Sequence, residues 1–229
     1  MSYTANSQIK TPLQHREREM LLAGFSYAEI TQALGCSRKA LSARNQIIYK
    51  INLQEAFARR IERDGIPNRL NISDAFGYWF AGFFDGEGHL GVFSRLQGIY
   101  TERRLTIQIM LRDDDTDVIT RIKDNIGVGR AYADKGRGTT NPKATFRVEK
   151  IEDLAQVIVP LFDKYPLYSK KAREFAIWRE MVRVKYIATL GGYSQRVAAT
   201  ERENAAFDAG LQAIAKIRHY TASRAEHSP

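Results

Sequence analysis

The stretch from Phe76 to Gly88 constrains what this chain can fold into more than any other. Up to Phe84 it is almost wholly apolar, with Gly77, Ala81 and Gly82 as small residues. It then turns abruptly into Asp85-Gly86-Glu87-Gly88. The four-residue spacing of Gly77 and Ala81 puts both on one helix face, where another backbone can approach closely. Two such helices packed on this stripe would bring their acidic ends together. Paired carboxylates there suit divalent metal ions, which prefer hard oxygen ligands. A plainer origin also exists for the same pattern, because glycine caps helix C-termini and Asp-Gly makes turns.

After Gly88 the apolar period changes from helical to two. Leu90, Val92 and Leu96 share one face of a strand, and His89, Phe93, Arg95 and Gln97 the other. In the next run Leu105, Ile107, Ile109 and Leu111 face a core, while Arg104, Thr106, Gln108 and Arg112 face away. Residues 113–126 read as a helix with acids in the first turn and Val118, Ile119, Ile122 and Ile126 as its stripe. A second strand pair is expected over 129–134 and 143–149. The loop Lys135-Gly136-Arg137-Gly138 joins it, with a phosphate-like composition but not the spacing of a nucleotide-binding loop. Helices over 151–162, 170–190 and 194–219 follow. The order helix, two strands, helix, two strands, helices predicts an α+β fold. One sheet face displays Arg95, Gln97, Arg104, Thr106, Gln108, Arg112, Arg130, Lys143 and Arg147. A polar antiparallel face is by default simply solvated. This one is rich in the side chains that read bases, arginine for guanine and glutamine for adenine.

Residues 1–68 read as a separate helical domain and linker, 69–190 as the α+β domain, and 191–229 as a helical extension. In the first, Ser26 and Glu29 form a capping box, and Ile30, Ala33 and Leu34 an apolar stripe. Gly35 supplies a turn, Ser37 can cap the next helix, and Leu41 returns to the core. This resembles a helix-turn-helix, whose second helix enters the major groove. Thr31 departs from it, since alanine usually stands there. The resemblance would place Ser37, Arg38, Lys39, Ser42, Arg44 and Asn45 against DNA; a helical cap with a solvated basic face is the alternative.

A formal charge of +9 and a pI near 9.6 point to an acidic partner, most simply nucleic acid. A single cysteine, Cys36, excludes an internal disulfide framework and any cysteine-rich zinc site. No apolar run reaches the roughly 20 residues of a membrane-spanning helix, and residues 1–10 lack a leader's apolar core. A soluble intracellular protein is expected.

Phe80-Ala81-Gly82-Phe83-Phe84-Asp85-Gly86-Glu87-Gly88 resembles the signature motif of the LAGLIDADG homing endonucleases. Small residues stand at its second, third and ninth places and acids at its sixth and eighth. Aromatics replace the usual aliphatics, and Glu87 the more usual aspartate. The resemblance runs from about Asp74 to about Leu190. It implies an αββαββα domain whose saddle-shaped sheet lies on double-stranded DNA. With one copy of the motif it implies a homodimer through the motif helices, where Gly77, Phe80, Ala81 and Phe84 are expected, and a near-palindromic target. It makes Glu87 and the carbonyl of Gly86 ligands of a divalent metal, magnesium by its chemistry, with Asp85 mainly structural. It also makes Lys170 or Lys171 the lysine that orders the active-site water. Active members commonly end the second strand in a polar residue such as glutamine; Leu111 or Arg112 falls there. His89 could touch a phosphate, although an exposed histidine is the plainer reading. The expected activity is site-specific, metal-dependent cleavage of duplex DNA. A non-catalytic DNA-binding regulator and an RNA-splicing maturase remain as alternatives.

Overall fold

Local signals set most of the element boundaries in the computed structural model, which describes residues 9–97, 100–136, 141–190 and 201–219. Helix α1 (Pro12–Leu22) starts at a capping box between Thr11 and Gln14, and α2 (Tyr27–Leu34) at the expected box between Ser26 and Glu29. Gly35 ends α2 in the left-handed conformation, at φ 63°, which a side-chain-free residue adopts without strain. Ser37 stands at the cap position of α3 (Arg38–Arg44) but makes no side-chain cap bond. The helix continues through a π turn, Asn45–Tyr49, and α4 (Leu53–Asp64) follows. Leu21, Ile30, Leu41, Tyr27 and Tyr49 form the core of these helices.

The chain divides into two units, one of residues 1–66 with 186–198 and one of residues 67–185 with 199–229. In the second, Ser73 caps α5 (Asp74–Glu87), accepting from the amide of Phe76. The strands are β1 (Gly88–Gln97), β2 (Tyr100–Arg112), β3 (Arg130–Asp134) and β4 (Lys143–Val148), with α6 (Thr116–Ile126) between β2 and β3. They form one antiparallel sheet in the order β1-β2-β4-β3. A broken helix follows, α7 (Ile151–Asp153), a π turn (Leu154–Ile158) and α8 (Val159–Lys164). The long α9 (Lys170–Leu190), as far as Lys185, and α10 (Glu201–Arg218) complete it. Arg137 and Gly138 of the basic loop, and the first residues expected in the last helix, lie outside the described residues.

Helices α5 and α6 pack on the sheet face that carries Leu90, Leu105, Ile107, Ile109, Phe146 and Val148, all buried. An aromatic chain ties α5 to α8 and α9: Phe80 and Phe84 meet Phe162, which meets Phe175, which meets Trp178. Trp178 also donates its indole N–H to the carbonyl of Gly91 at 3.2 Å. α10 is pinned at both ends. Arg103 of β2 binds Asn204 and Asp208, and Arg218 binds Glu174 and the Leu90 carbonyl.

The stripe expected at a dimer contact is used inside the chain. Phe80 and Phe84 are fully buried, and Ala81 nearly so. Gly77 lies under the Tyr165 ring, so close that a Cβ would stand 2.3 Å from Tyr165 Cε2. The open side of α5 is instead formed by Tyr78, Trp79, Gly82 and Gly86. The correction has a simple cause: the helix is apolar on both sides, and the bulky aromatics took the interior.

Candidate functional site

Asp85 is the residue that builds the end of α5. Its carboxylate accepts from the backbone amides of Tyr168 at 2.8 Å and Ser169 at 2.9 Å, and from the Ser169 hydroxyl at 2.6 Å. Partial burial alone would raise its pKa. The hydrogen bonds from Ser169 and Tyr168, with the charge of Lys171, outweigh that and hold the carboxyl below the usual aspartate range. It therefore clamps the start of α9 against the end of α5. The clamp sets the position of Lys171, whose ammonium donates to the carbonyls of Asp85 at 2.5 Å and Gly86 at 3.2 Å. Lys170, one residue earlier, is exposed. Of the two candidate lysines the structure thus brings one to the motif.

Glu87 is exposed at the last position of α5 and lines an open cleft of about 630 Å³ with Phe83, Met110, Arg112, Asp115 and Lys143. Sequence patterning did not place Asp115 here, because it read only as one of several acids in a first turn. The Glu87 carboxylate and the Gly86 carbonyl are hard oxygen donors that suit a divalent cation. They are a fraction of the six or more oxygens such an ion takes. Among the described residues of a single chain no cluster of three or more His, Cys, Asp and Glu side chains completes the set.

His89, next to the motif, stands opposite Gln108 at the root of the sheet. Partial desolvation and then the charge of Arg218 hold its imidazole below the ordinary histidine value.

The outward sheet face carries most of the expected side chains. Arg104, Arg112, Arg130 and Lys143 are exposed, and Gln108 and Arg147 half-buried. Arg95 and Gln97 lie in β1 opposite Glu102 and Tyr100. Arg112 pairs with Asp114, and Arg130 and Arg147 share Glu149. Thr106 departs from expectation and is fully buried. Gly91 opposite it has no side chain, so the Phe93 ring folds back over the glycine: a Cβ on Gly91 would meet both Thr106 Oγ1 and the Phe93 ring within 2.7 Å. Thr106 is covered rather than presented. Three exposed apolar side chains, Phe93, Met110 and Tyr132, stand on the same face. Of these Phe93 was placed on this face by the sequence pattern; Met110, an apolar residue in the polar half of an alternating strand, was open to the same reading.

In the N-terminal unit Arg38 and Lys39 are exposed at the start of α3. Arg44, expected beside them, is committed elsewhere. Its guanidinium makes a two-toothed pair with the fully buried Glu17 of α1. Glu17 also accepts from the Tyr49 hydroxyl at 2.7 Å. Burial would raise the Glu17 pKa, but the bonds from Arg44, Tyr49 and Cys36 hold it below the ordinary value. Asn45 is likewise inward, bonded to the Tyr27 hydroxyl and to both backbone groups of Ile51. No helix of the described residues is long and apolar enough to cross a membrane.

Residues 80–182 match the family model described as LAGLIDADG endonuclease. The chain is 30% identical over 113 residues to homing endonuclease I-ApeII of Aeropyrum pernix, covering 47% of this chain and 65% of that one. It is 23% identical over 122 residues to a probable intron-encoded endonuclease, Cox1-I1b, of Schizosaccharomyces pombe, covering 53% of this chain and 30% of that one. The aligned part therefore spans less than two thirds of these relatives' length. Among solved structures, the I-SmaMI LAGLIDADG homing endonuclease bound to cleaved DNA superposes with a TM-score of 0.53 at 19% identity, covering 90% of this chain and 64% of that one. That likeness bears on the fold, and agrees with the α+β architecture described above. The signature residues at the end of α5 lie inside the stretch, residues 80–182, that matches the LAGLIDADG endonuclease model, and the chain resembles that family over this stretch.

Proposed function

We propose that the protein is a metal-dependent, site-specific double-strand DNA endonuclease that works as a homodimer. The observation that carries this reading is the gathering of the Glu87 carboxylate, the Gly86 carbonyl and the Lys171 ammonium beside a cationic sheet face. A second copy related by a two-fold axis doubles the carboxylate and the carbonyl, and water and phosphate oxygens would make up the rest of the shell. The open face of α5, with Gly82 and Gly86 as its small residues, is the surface on which two copies would meet. A Cβ at either glycine would meet nothing within 4 Å, so that face has room for another backbone.

Bound Mg2+ would supply Lewis acidity at the phosphate and an acidified water. The chain's own residues do the rest. Glu87 and the Gly86 carbonyl would hold the ion, and Asp85 keeps the loop before α9 fixed so that Lys171 stays in register. The Lys171 ammonium orients water and offsets charge developing on the phosphate. Arg104, Gln108, Arg112, Arg130, Lys143 and Arg147 lie where a duplex would rest on the sheet. They divide between phosphate neutralisation and base-edge contacts. Arg38 and Lys39 would add contacts to flanking DNA, as expected of the helical domain read over residues 1–68.

Glu87→Gln tests the core of this reading. The variant should bind the selected duplex as the wild type does and lose magnesium-dependent cleavage. Undiminished cleavage would overturn the assignment of Glu87. Tighter binding to structured RNA than to any duplex would point to the maturase.

A further inference from the structure

Three rows of side chains run across the outward sheet face, fixed by the strand register. Arg112, Lys143 and Asp134 stand side by side on β2, β4 and β3. The next row is Met110, Thr145 and Tyr132. The third is His89, Gln108, Arg147 and Arg130, spanning all four strands. The middle row is therefore an apolar band between two polar, mostly cationic ones. Met110 is 48% exposed and Tyr132 43% exposed, while Thr145 is buried between them. Single exposed apolar side chains need no explanation. Two that flank a buried threonine in one cross-strand row form a continuous strip, and the charges beside it fit a polyanion better than an apolar protein surface.

Resting on the duplex-DNA reading above, we propose that Met110 and Tyr132, the exposed ends of this band, read the C5 methyl group of thymine in the major groove. That methyl is the one apolar group that base edges present there. Same-face residues along a strand are about 6.8 Å apart, two rises of about 3.4 Å, while stacked bases on one strand are about 3.4 Å apart. The apolar band is thus set to meet bases about two steps from those met by Arg112 and Lys143 on one side and by Gln108 and Arg147 on the other. Arginine and glutamine then select guanine and adenine, and the band selects thymine against cytosine where hydrogen-bond donors would be misplaced.

The test uses the full-length protein and the duplex it selects from a randomised library. Each thymine is replaced in turn by deoxyuridine, which removes only the methyl group, and binding is measured for the wild type, Met110→Ala and Tyr132→Ala. Wild type should bind about fourfold more weakly when a thymine under the band is replaced, the loss expected for one buried methyl. Replacements elsewhere should leave binding unchanged. In the alanine variant whose side chain covers that methyl, thymine and deoxyuridine duplexes should bind equally. Both side chains are on the surface, so unchanged melting temperatures would verify that the variants fold. Equal binding of every deoxyuridine duplex by the wild type, with the site still selected, would overturn the inference and leave DNA recognition standing. A penalty that persists in both variants would overturn it too. Selection of no duplex at all would overturn the DNA reading itself and this inference with it.

Discussion

Lys170 and Lys171 are adjacent in the chain and chemically identical, yet only the second reaches the carbonyls of Asp85 and Gly86. Lys171→Met should therefore lower the single-turnover cleavage rate about 100-fold, at the low end for loss of one positioned donor to developing charge. Lys170→Met should leave it within about threefold. The reverse ranking would contradict the geometry. Glu17 carries a second prediction. Its carboxyl is held below the ordinary value near 4.5 in the folded state, so the ionised form contributes stability above that pH. The contribution is lost as pH falls from about 4.5 through the lowered folded value. Glu17→Gln should cost the N-terminal unit roughly 3 kcal/mol near neutral pH, because Arg44 keeps its charge and loses its partner. Thermal unfolding at pH 7 against pH 4 checks this: the wild type should lose stability on acidification and the variant should lose less. Glu87 was readable because it sits in a contiguous motif, whereas the lysine pair, far along the chain, came only from the family resemblance. The commitment of Arg44 was not, because its partner stands 27 residues earlier on another helix and nothing in the local pattern joins them.

Helix α5 shows what periodicity carries and what it omits. The helix, its cap at Ser73 and its end before Gly88 all follow from local chemistry. Which side turns inward does not, since Phe76, Phe80 and Phe84 on one side and Tyr78, Trp79 and Phe83 on the other are equally apolar. Packing decided it: the Tyr165 ring lies on Gly77, and Phe162 lies between Phe80 and Phe84. Two glycines in one helix should consequently respond in opposite ways. Gly77→Ala would drive a methyl into the Tyr165 ring and should destabilise the sheet unit by about 2 kcal/mol, read as a lower melting temperature. Gly82→Arg meets open space within the chain and should leave the melting of the free chain nearly unchanged. The same substitution should abolish self-association in sedimentation measurements. A dimer that survives Gly82→Arg would move the contact off this face.

Over the whole molecule, the helix-strand-strand order of the second unit was readable from changes in apolar period, because each strand has one buried and one open face. Its bracing by α10 was not, since Arg103 and Arg218 look like ordinary surface cations until their partners Asp208 and Glu174 are placed. A charge of +9 gathered partly on one sheet face requires DNA binding to weaken steeply with salt, as counterions compete for phosphates. One carboxylate per chain can form a catalytic site only in a two-fold pair. The most direct measurement is cleavage of a randomised duplex library by the wild-type protein in magnesium, with sequencing of the cut ends. Cuts in both strands should fall at one near-palindromic sequence and be absent with Glu87→Gln. Selective binding without cleavage by the wild type, or efficient cleavage by a protein that stays monomeric on its DNA, would contradict it.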